Sequence, residues 1–98
     1  MSDSSELPCP WSAYLVECGD GSLYCGVAID VERRMRDHAT PKGARYVRGH
    51  GGVKRLLWSR PFASRGAALR AELRIKALPR RAKLDLAATG AMPGGWPE

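Results

Sequence analysis

The sequence predicts an α+β fold, a small three-stranded antiparallel sheet flanked by helices in the order β-β-α-β-α-α. Three observations carry that prediction. Two runs rich in apolar and aromatic residues, Trp11 to Cys18 and Leu23 to Ile29, flank the reverse-turn signal Gly19-Asp20-Gly21. A third such run, Lys54 to Ser59, stands between helical segments that open after Asp30, Ser64 and Pro79. A chain of 98 residues has room for one domain with a modest core and for no second domain beside it.

The first two strands form a hairpin whose register depends on the loop. A three-residue loop with Gly21 left-handed sets Val16 opposite Tyr24 and Tyr14 opposite Gly26, so both phenols share one face of the sheet, with open space above the Tyr14 ring. A two-residue loop would put them on opposite faces. Asp30 reads as the N-cap of the first helix, with Glu32 in its first turn, Val31 and Met35 on its buried side, and an end near Ala39 because Pro41 and Gly43 follow. Arg34 and His38 lie one turn apart on a single face, and Arg33 with Asp37 makes a solvated pair. Thr40 to Gly52 reads as an irregular loop carrying Lys42, Arg45, Arg48 and His50 around Tyr46; long loops of this kind are often functional.

The third strand is expected to end at Pro61. Ser64 caps a helix to about Leu78, with Ala68, Leu69, Leu73 and Ile75 as its apolar contacts, and Pro79 breaks it. A last helix, Arg80 to Ala88, packs through Ala82, Leu84, Leu86 and Ala87 and stops at Gly90. The expected division is a flexible leader over 1–10, a folded domain over 11–89 and a loose tail over 90–98, in which Trp96 has no clear packing partner. Trp11 and Trp58 are expected in the core.

Lys and Arg number 16 against 10 Asp and Glu, a formal charge of +6 that favours a polyanionic partner without saying which. Cys9, Cys18 and Cys25 are odd in number and lack a C-x-x-C spacing, so neither a zinc site nor a disulfide scaffold is indicated. Reduced, inert thiols in the cytoplasm are the expectation. Met1 to Pro10 has the acids and prolines a signal peptide lacks, and no apolar run approaches the about 18 residues of a membrane span.

With these elements in place, Ser12-Ala13-Tyr14 and Tyr24-Cys25-Gly26, then Arg34, His38 and Glu72, resemble in order and spacing the motifs of the GIY-YIG nuclease superfamily. The similarity runs from about Trp11 to Ala88. The stretches Lys42-Gly43-Ala44-Arg45-Tyr46-Val47-Arg48-Gly49 and Ala68-Leu69-Arg70-Ala71-Glu72 resemble its small stand-alone bacterial group in particular. Ser12 stands where the family has glycine, Ala13 where it has a branched residue, and Cys25 where it has isoleucine or valine; all three are scaffold positions.

The resemblance implies a divalent-metal-dependent endonuclease acting on DNA phosphodiesters. Tyr14, Tyr24, Arg34, His38 and Glu72 are the implied catalytic residues, and Glu72 the metal ligand. Glu72 would hold one hydrated Mg²⁺, with Mn²⁺ as a substitute, since no second carboxylate stands nearby to make a two-metal clamp. Tyr24 is the preferred general base, with Tyr14 supporting it or exchanging roles. A free phenol near pKa 10 is a poor base at neutral pH, so the site must lower that value. Arg34 would donate a fork of hydrogen bonds to the scissile phosphate, and His38 would either orient a tyrosine or touch phosphate. Arg33, Lys42, Arg45, Tyr46 and Arg48 are the expected DNA contacts.

Taken one at a time, each of these residues has a plainer explanation. Tyrosines on strands usually pack, a helical Arg usually faces solvent, and Glu72 could simply pair with Arg70, Arg74 or Lys76. Branched or flapped DNA in repair or recombination is the expected substrate, with RNA as the other polymer such a site accepts and a protein partner or homodimer as a source of specificity. The rival readings are a nucleic-acid-binding protein that cuts slowly or not at all, and an adaptor whose basic loop binds an acidic protein.

Overall fold

The computed structural model describes residues 11–40 and 43–96. The expected leader, Cys9 and Lys42 lie outside them. The elements follow the order β1 (Trp11–Cys18), β2 (Leu23–Ala28), α1 (Val31–His38), α2 (Arg45–Gly49), β3 (Val53–Phe62), α3 (Arg65–Lys76) and α4 (Arg80–Thr89). The predicted α+β class and strand and helix order hold, with one short helix added. α2 lies inside the segment expected to be an irregular loop, because Val47 is an apolar anchor that turns one face of it into the core.

The sheet is antiparallel with strand order β2-β1-β3, so the longest-range pairing, β1 with β3, closes the middle of the fold. β1 and β2 pair through Val16 opposite Tyr24 and Tyr14 opposite Gly26, the register of a three-residue loop. Gly21 has φ 88°, which is why that loop can close with the Gly21 amide donating to the Cys18 carbonyl at 2.9 Å. The strand β3 runs past Pro61 to Phe62, longer than expected. Pro61 is tolerated because β3 pairs only with β1 and is an edge strand, where a missing N–H can face outward. Register shifts between Leu15 and Val16 and between Glu17 and Cys18 twist this pairing.

Strand alternation sorts the core onto two faces. Ala13, Leu15 and Cys25 face α3 and α4 and pack with Ala67, Ala68, Ala71, Ile75 and Leu86. Tyr14, Val16, Cys18 and Tyr24 face the other way and pack with Val31 and Met35 of α1 and Val47 of α2. Small alanines on α3 let that helix approach the sheet closely. Leu73, expected among its apolar contacts, is instead 66% exposed, and Leu84 of α4 is also exposed. A 12-residue helix lying on a flat sheet buries one stripe only, and Ala67, Ala68, Ala71 and Ile75 fill it.

Asp30 and Ser64 cap α1 and α3 as expected, their side chains accepting from the Arg33 and Ala67 amides, and Gly90 ends α4 in the left-handed conformation. Beyond Gly90 the expectation for Trp96 is corrected. Its ring stacks on Trp58 with centroids 5.2 Å apart and planes at 8°, and its indole N–H donates to the Gly90 carbonyl. Arg74 holds the same segment by donating to the carbonyls of Pro93 and Gly95, each at 2.6 Å. Trp11 and Trp58 pack against the core as expected. Among the described residues no helix is long and apolar enough to cross a membrane.

Candidate active site

The hairpin register brings Tyr14 and Tyr24 onto one face, and α1 delivers Arg34 and His38 to the same place. Tyr14 is 1% exposed and His38 2% exposed, so this cluster is built into the core rather than laid on the surface. The Tyr14 hydroxyl and His38 Nε2 are 3.0 Å apart. His38 Nδ1 accepts from the Ala44 amide at 3.3 Å, which leaves the neutral ring's proton on Nε2 and makes His38 the donor to the phenol oxygen. Arg34 also hydrogen-bonds Tyr14. One phenol oxygen is therefore held by an imidazole and a guanidinium from a single turn of α1.

The ring of Tyr14 lies across Gly26. A Cβ at that position would meet the Tyr14 hydroxyl oxygen at 2.6 Å and its Cζ at 2.8 Å. The expected open space above the ring is thus taken up by the ring itself, and glycine is required there because any side chain would displace the phenol. Tyr24 sits beside this pair, its ring centroid 6.3 Å from Tyr14 and 5.9 Å from His38.

Burial pushes the Tyr14 hydroxyl up to about 12, against the opposing pull of Arg34, so its proton stays on through the neutral range. Burial and the adjacent Arg34 charge hold the His38 imidazole below its ordinary 6.5, consistent with a neutral donor. The Arg34 guanidinium also lies 3.9 Å from Asp37, a partner expected for Arg33. Cys25 on the opposite face is pushed up to about 12 by burial and is inert as a nucleophile.

Glu72 is placed differently. It projects from α3, on the side of the sheet that Cys25 faces and the tyrosines do not. Its side chain is 15% exposed and its Oε2 pairs with Lys76 at 3.3 Å. Among the described residues it makes no hydrogen bond to Tyr14, Tyr24, Arg34 or His38. β2, which carries Tyr24 on one face and Cys25 beside Glu72 on the other, is an outer strand, so its free edge offers a short route between the two groups. The expected DNA contacts Arg33, Arg45 and Arg48 are exposed on α1 and α2, the helices that cover the tyrosine face.

Sequence reasoning missed one set of contacts. Tyr46 stacks on Tyr24 at 5.6 Å and on His50 at 4.1 Å, and His50 Nδ1 lies 2.6 Å from Asp20 Oδ2. Asp20 also accepts from the amide and hydroxyl of Ser22, and these bonds with His50 hold its carboxyl down to about 2. The hairpin turn is tied to the basic segment by the Gly19 and Asp20 amides donating to Gly52 and His50 carbonyls. Nothing in the local spacing links residues 30 apart such as Asp20 and His50.

The profile described as the GIY-YIG catalytic domain matches residues 10–85. A UPF0213 protein of Vibrio cholerae is 46% identical over 89 residues, covering 90% of this chain and 87% of its own. The UPF0213 protein YhbQ of Escherichia coli is 46% identical over 82 residues, covering 84% and 81%. The solution NMR structure of a UPF0213 protein from Bacillus halodurans is 43% identical, covers 81% of this chain and 83% of that one, and superposes with a TM-score of 0.52.

Proposed function

We propose, on the premise that this chain belongs to the GIY-YIG family, a family of nucleases, that it is a divalent-metal-dependent endonuclease cutting DNA phosphodiesters. The observation that carries the proposal is the Tyr14, Tyr24, Arg34 and His38 cluster, in which one phenol is locked as a proton holder and the other is left beside it. Tyr24 is the general base, its phenolate form taking the proton from the attacking water and returning to the phenol; Tyr14, with its proton held and its oxygen fixed by His38 and Arg34, orients it. Arg34 presents its guanidinium to the scissile phosphate and stabilises the charge that gathers on the phosphoryl oxygens. His38 acts as a positioning residue, since it touches Tyr14 and the Ala44 amide from inside the core.

The donor set fits a largely hydrated hard cation. Glu72 offers one carboxylate, and among the described residues no group of three or more His, Cys, Asp or Glu side chains gathers into a metal site. Glu72 would hold the ion, with waters completing its shell. Once bound, such an ion supplies charge to a phosphate and to a departing oxygen. Lys76 keeps the carboxylate in place without it.

Branched or flapped DNA handled in repair or recombination is the proposed substrate, in the cytoplasm, with RNA, a protein partner and a second copy to be assayed beside it. The test is incubation of the protein with supercoiled, single-stranded and branched DNA in Mg²⁺, Mn²⁺ or EDTA. Cleavage is expected with either metal and not in EDTA, and Glu72→Ala is expected to lose it while still binding DNA. Cutting that persists unchanged in Glu72→Ala sinks the metal role. Binding without any cutting under every condition leaves the nucleic-acid-binding reading in its place.

A further inference from the structure

The tyrosine cluster and Glu72 belong to opposite faces of the sheet, and β2, the edge strand that carries both Tyr24 and Cys25, gives a short path between them around its free edge. A cleft of about 250 Å³ stands at that edge, lined by Ser22, Leu23, Tyr46, Arg80 and Lys83. One wall comes from α2 on the tyrosine side and the other from α4 on the Glu72 side. Arg80 lines it and is fixed there by its Nη1 donating to the Gly21 carbonyl at 2.8 Å, which spends one of its N–H groups. Among the described residues the Lys83 ammonium has no hydrogen-bond or ion-pair partner. The charges of Lys83, Lys76 and Glu72 all act on the Cys25 thiol, which places Lys83 on the flank where Glu72 stands. On the opposite wall Tyr46 is 42% exposed and stacks directly on Tyr24.

From this geometry we infer that the cleft is a phosphate subsite for the substrate strand, where Arg80 and Lys83 take the backbone phosphate next to the one being cut. Tyr46 forms the wall that separates the two. The inference rests on the nuclease reading and adds α4 to the substrate path, whereas the basic residues recognised from sequence all belong to α1 and the segment before β3. Two cations line the cleft and no carboxylate does, Asp20 being turned to Ser22 and His50 and Glu72 to Lys76, so the cleft favours a polyanion, and contiguity with Tyr24 favours the same strand that Tyr24 acts on.

The experiment measures binding of a labelled flap DNA by anisotropy in EDTA, across a salt series, for the wild type, Lys83→Gln and Arg80→Gln. Lys83→Gln should weaken binding about threefold to tenfold and reduce the slope of log affinity against log salt by about one. Methylphosphonate linkages, which are neutral, are then walked along the strand. One position beside the cut should weaken the wild type and weaken Lys83→Gln clearly less, the remaining effect being that of Arg80. Lys83 is half-buried and, among the described residues, holds no hydrogen bond or ion pair that the fold uses, so its variant keeps the fold even where loss of the Arg80 bond to Gly21 loosens the turn. Wild-type affinity and salt slope in both variants would overturn the subsite, as would equal methylphosphonate effects in wild type and Lys83→Gln. Tighter binding of polyglutamate than of DNA, lost in the same variants, would overturn it in favour of an acidic protein. Cleavage by a wild type whose cleft variants bind normally defeats the subsite alone. A cleft-dependent affinity in a protein that never cuts defeats the nuclease reading alone.

Discussion

Replacing His38 should cost this protein stability and remove one source of its sensitivity to mild acid. The ring is 2% exposed, accepts from the Ala44 amide and donates to the Tyr14 hydroxyl, and it joins α1 to the start of the basic segment. His38→Ala loses two hydrogen bonds at about 1 kcal/mol each and leaves a cavity worth about another 1–2 kcal/mol, so about 3–4 kcal/mol in all. For a domain of this size that is a fall in Tm of at least about 12 °C. The pH dependence has a definite sign. The unfolded imidazole takes its proton at the ordinary 6.5, while the folded ring, its pKa lowered by burial and by Arg34, stays neutral there. The unfolded state therefore binds more protons as pH falls. The stability that the neutral ring contributes is complete above about pH 6.5 and is lost below it, with a slope of at most about 1.4 kcal/mol per pH unit. Urea unfolding at pH 7.5, 6.5, 5.5 and 5.0, followed by tryptophan fluorescence, measures both effects. Relative to His38→Gln, which cannot titrate, the wild type should lose midpoint below pH 6.5 and not above it. Parallel curves for the two proteins across that range, or a His38→Ala protein within about 1 kcal/mol of wild type, would refute the argument.

Other outcomes follow from the same packing. Gly26→Ala places a methyl 2.6 Å from the Tyr14 hydroxyl, so it should destabilise by about 1–3 kcal/mol in urea and lower cleavage by shifting the phenol; an unchanged midpoint counts against the close contact. Tyr24→Phe should slow single-turnover cleavage by about a hundredfold or more with DNA affinity kept within about twofold. Tyr14→Phe should cost less in rate and more in stability, and the reverse ranking would exchange the two roles. Trp96→Ala should lose the near-ultraviolet dichroism of the Trp58 stack and about 1–2 kcal/mol of stability, and a spectrum identical to wild type would show that the segment after Gly90 does not rest on β3 in solution.

Much of this was legible from local signals because local physics decides it. Asp30, Ser64 and Gly90 act on amides and carbonyls within one turn of themselves, and each ends a helix where its residue type says it should. The errors fall where a distant partner overrides the local rule. Pro61 reads as a strand end, but an edge position removes the penalty. Trp96 reads as stray because its partner Trp58 is on a strand that local sequence cannot place beside it. Leu73 reads as core, yet α3 meets the sheet through a narrow row of alanines and leaves it outside.

The sequence by itself determined the α+β class and the hairpin around Gly19-Asp20-Gly21, and its resemblance to the GIY-YIG nucleases singled out Tyr14, Tyr24, Arg34, His38 and Glu72. Period-two alternation, turn chemistry and capping are local, and they suffice for the class and the hairpin; the register that sets both phenols on one side came from the structure. Only the tertiary structure decided how those residues are divided: Tyr14 buried and held by His38 and Arg34, Tyr24 beside it, and Glu72 across the sheet with the edge of β2 between them. That division depends on which face each helix covers and how deeply each side chain is removed from water. Both are set by packing among elements far apart in the chain.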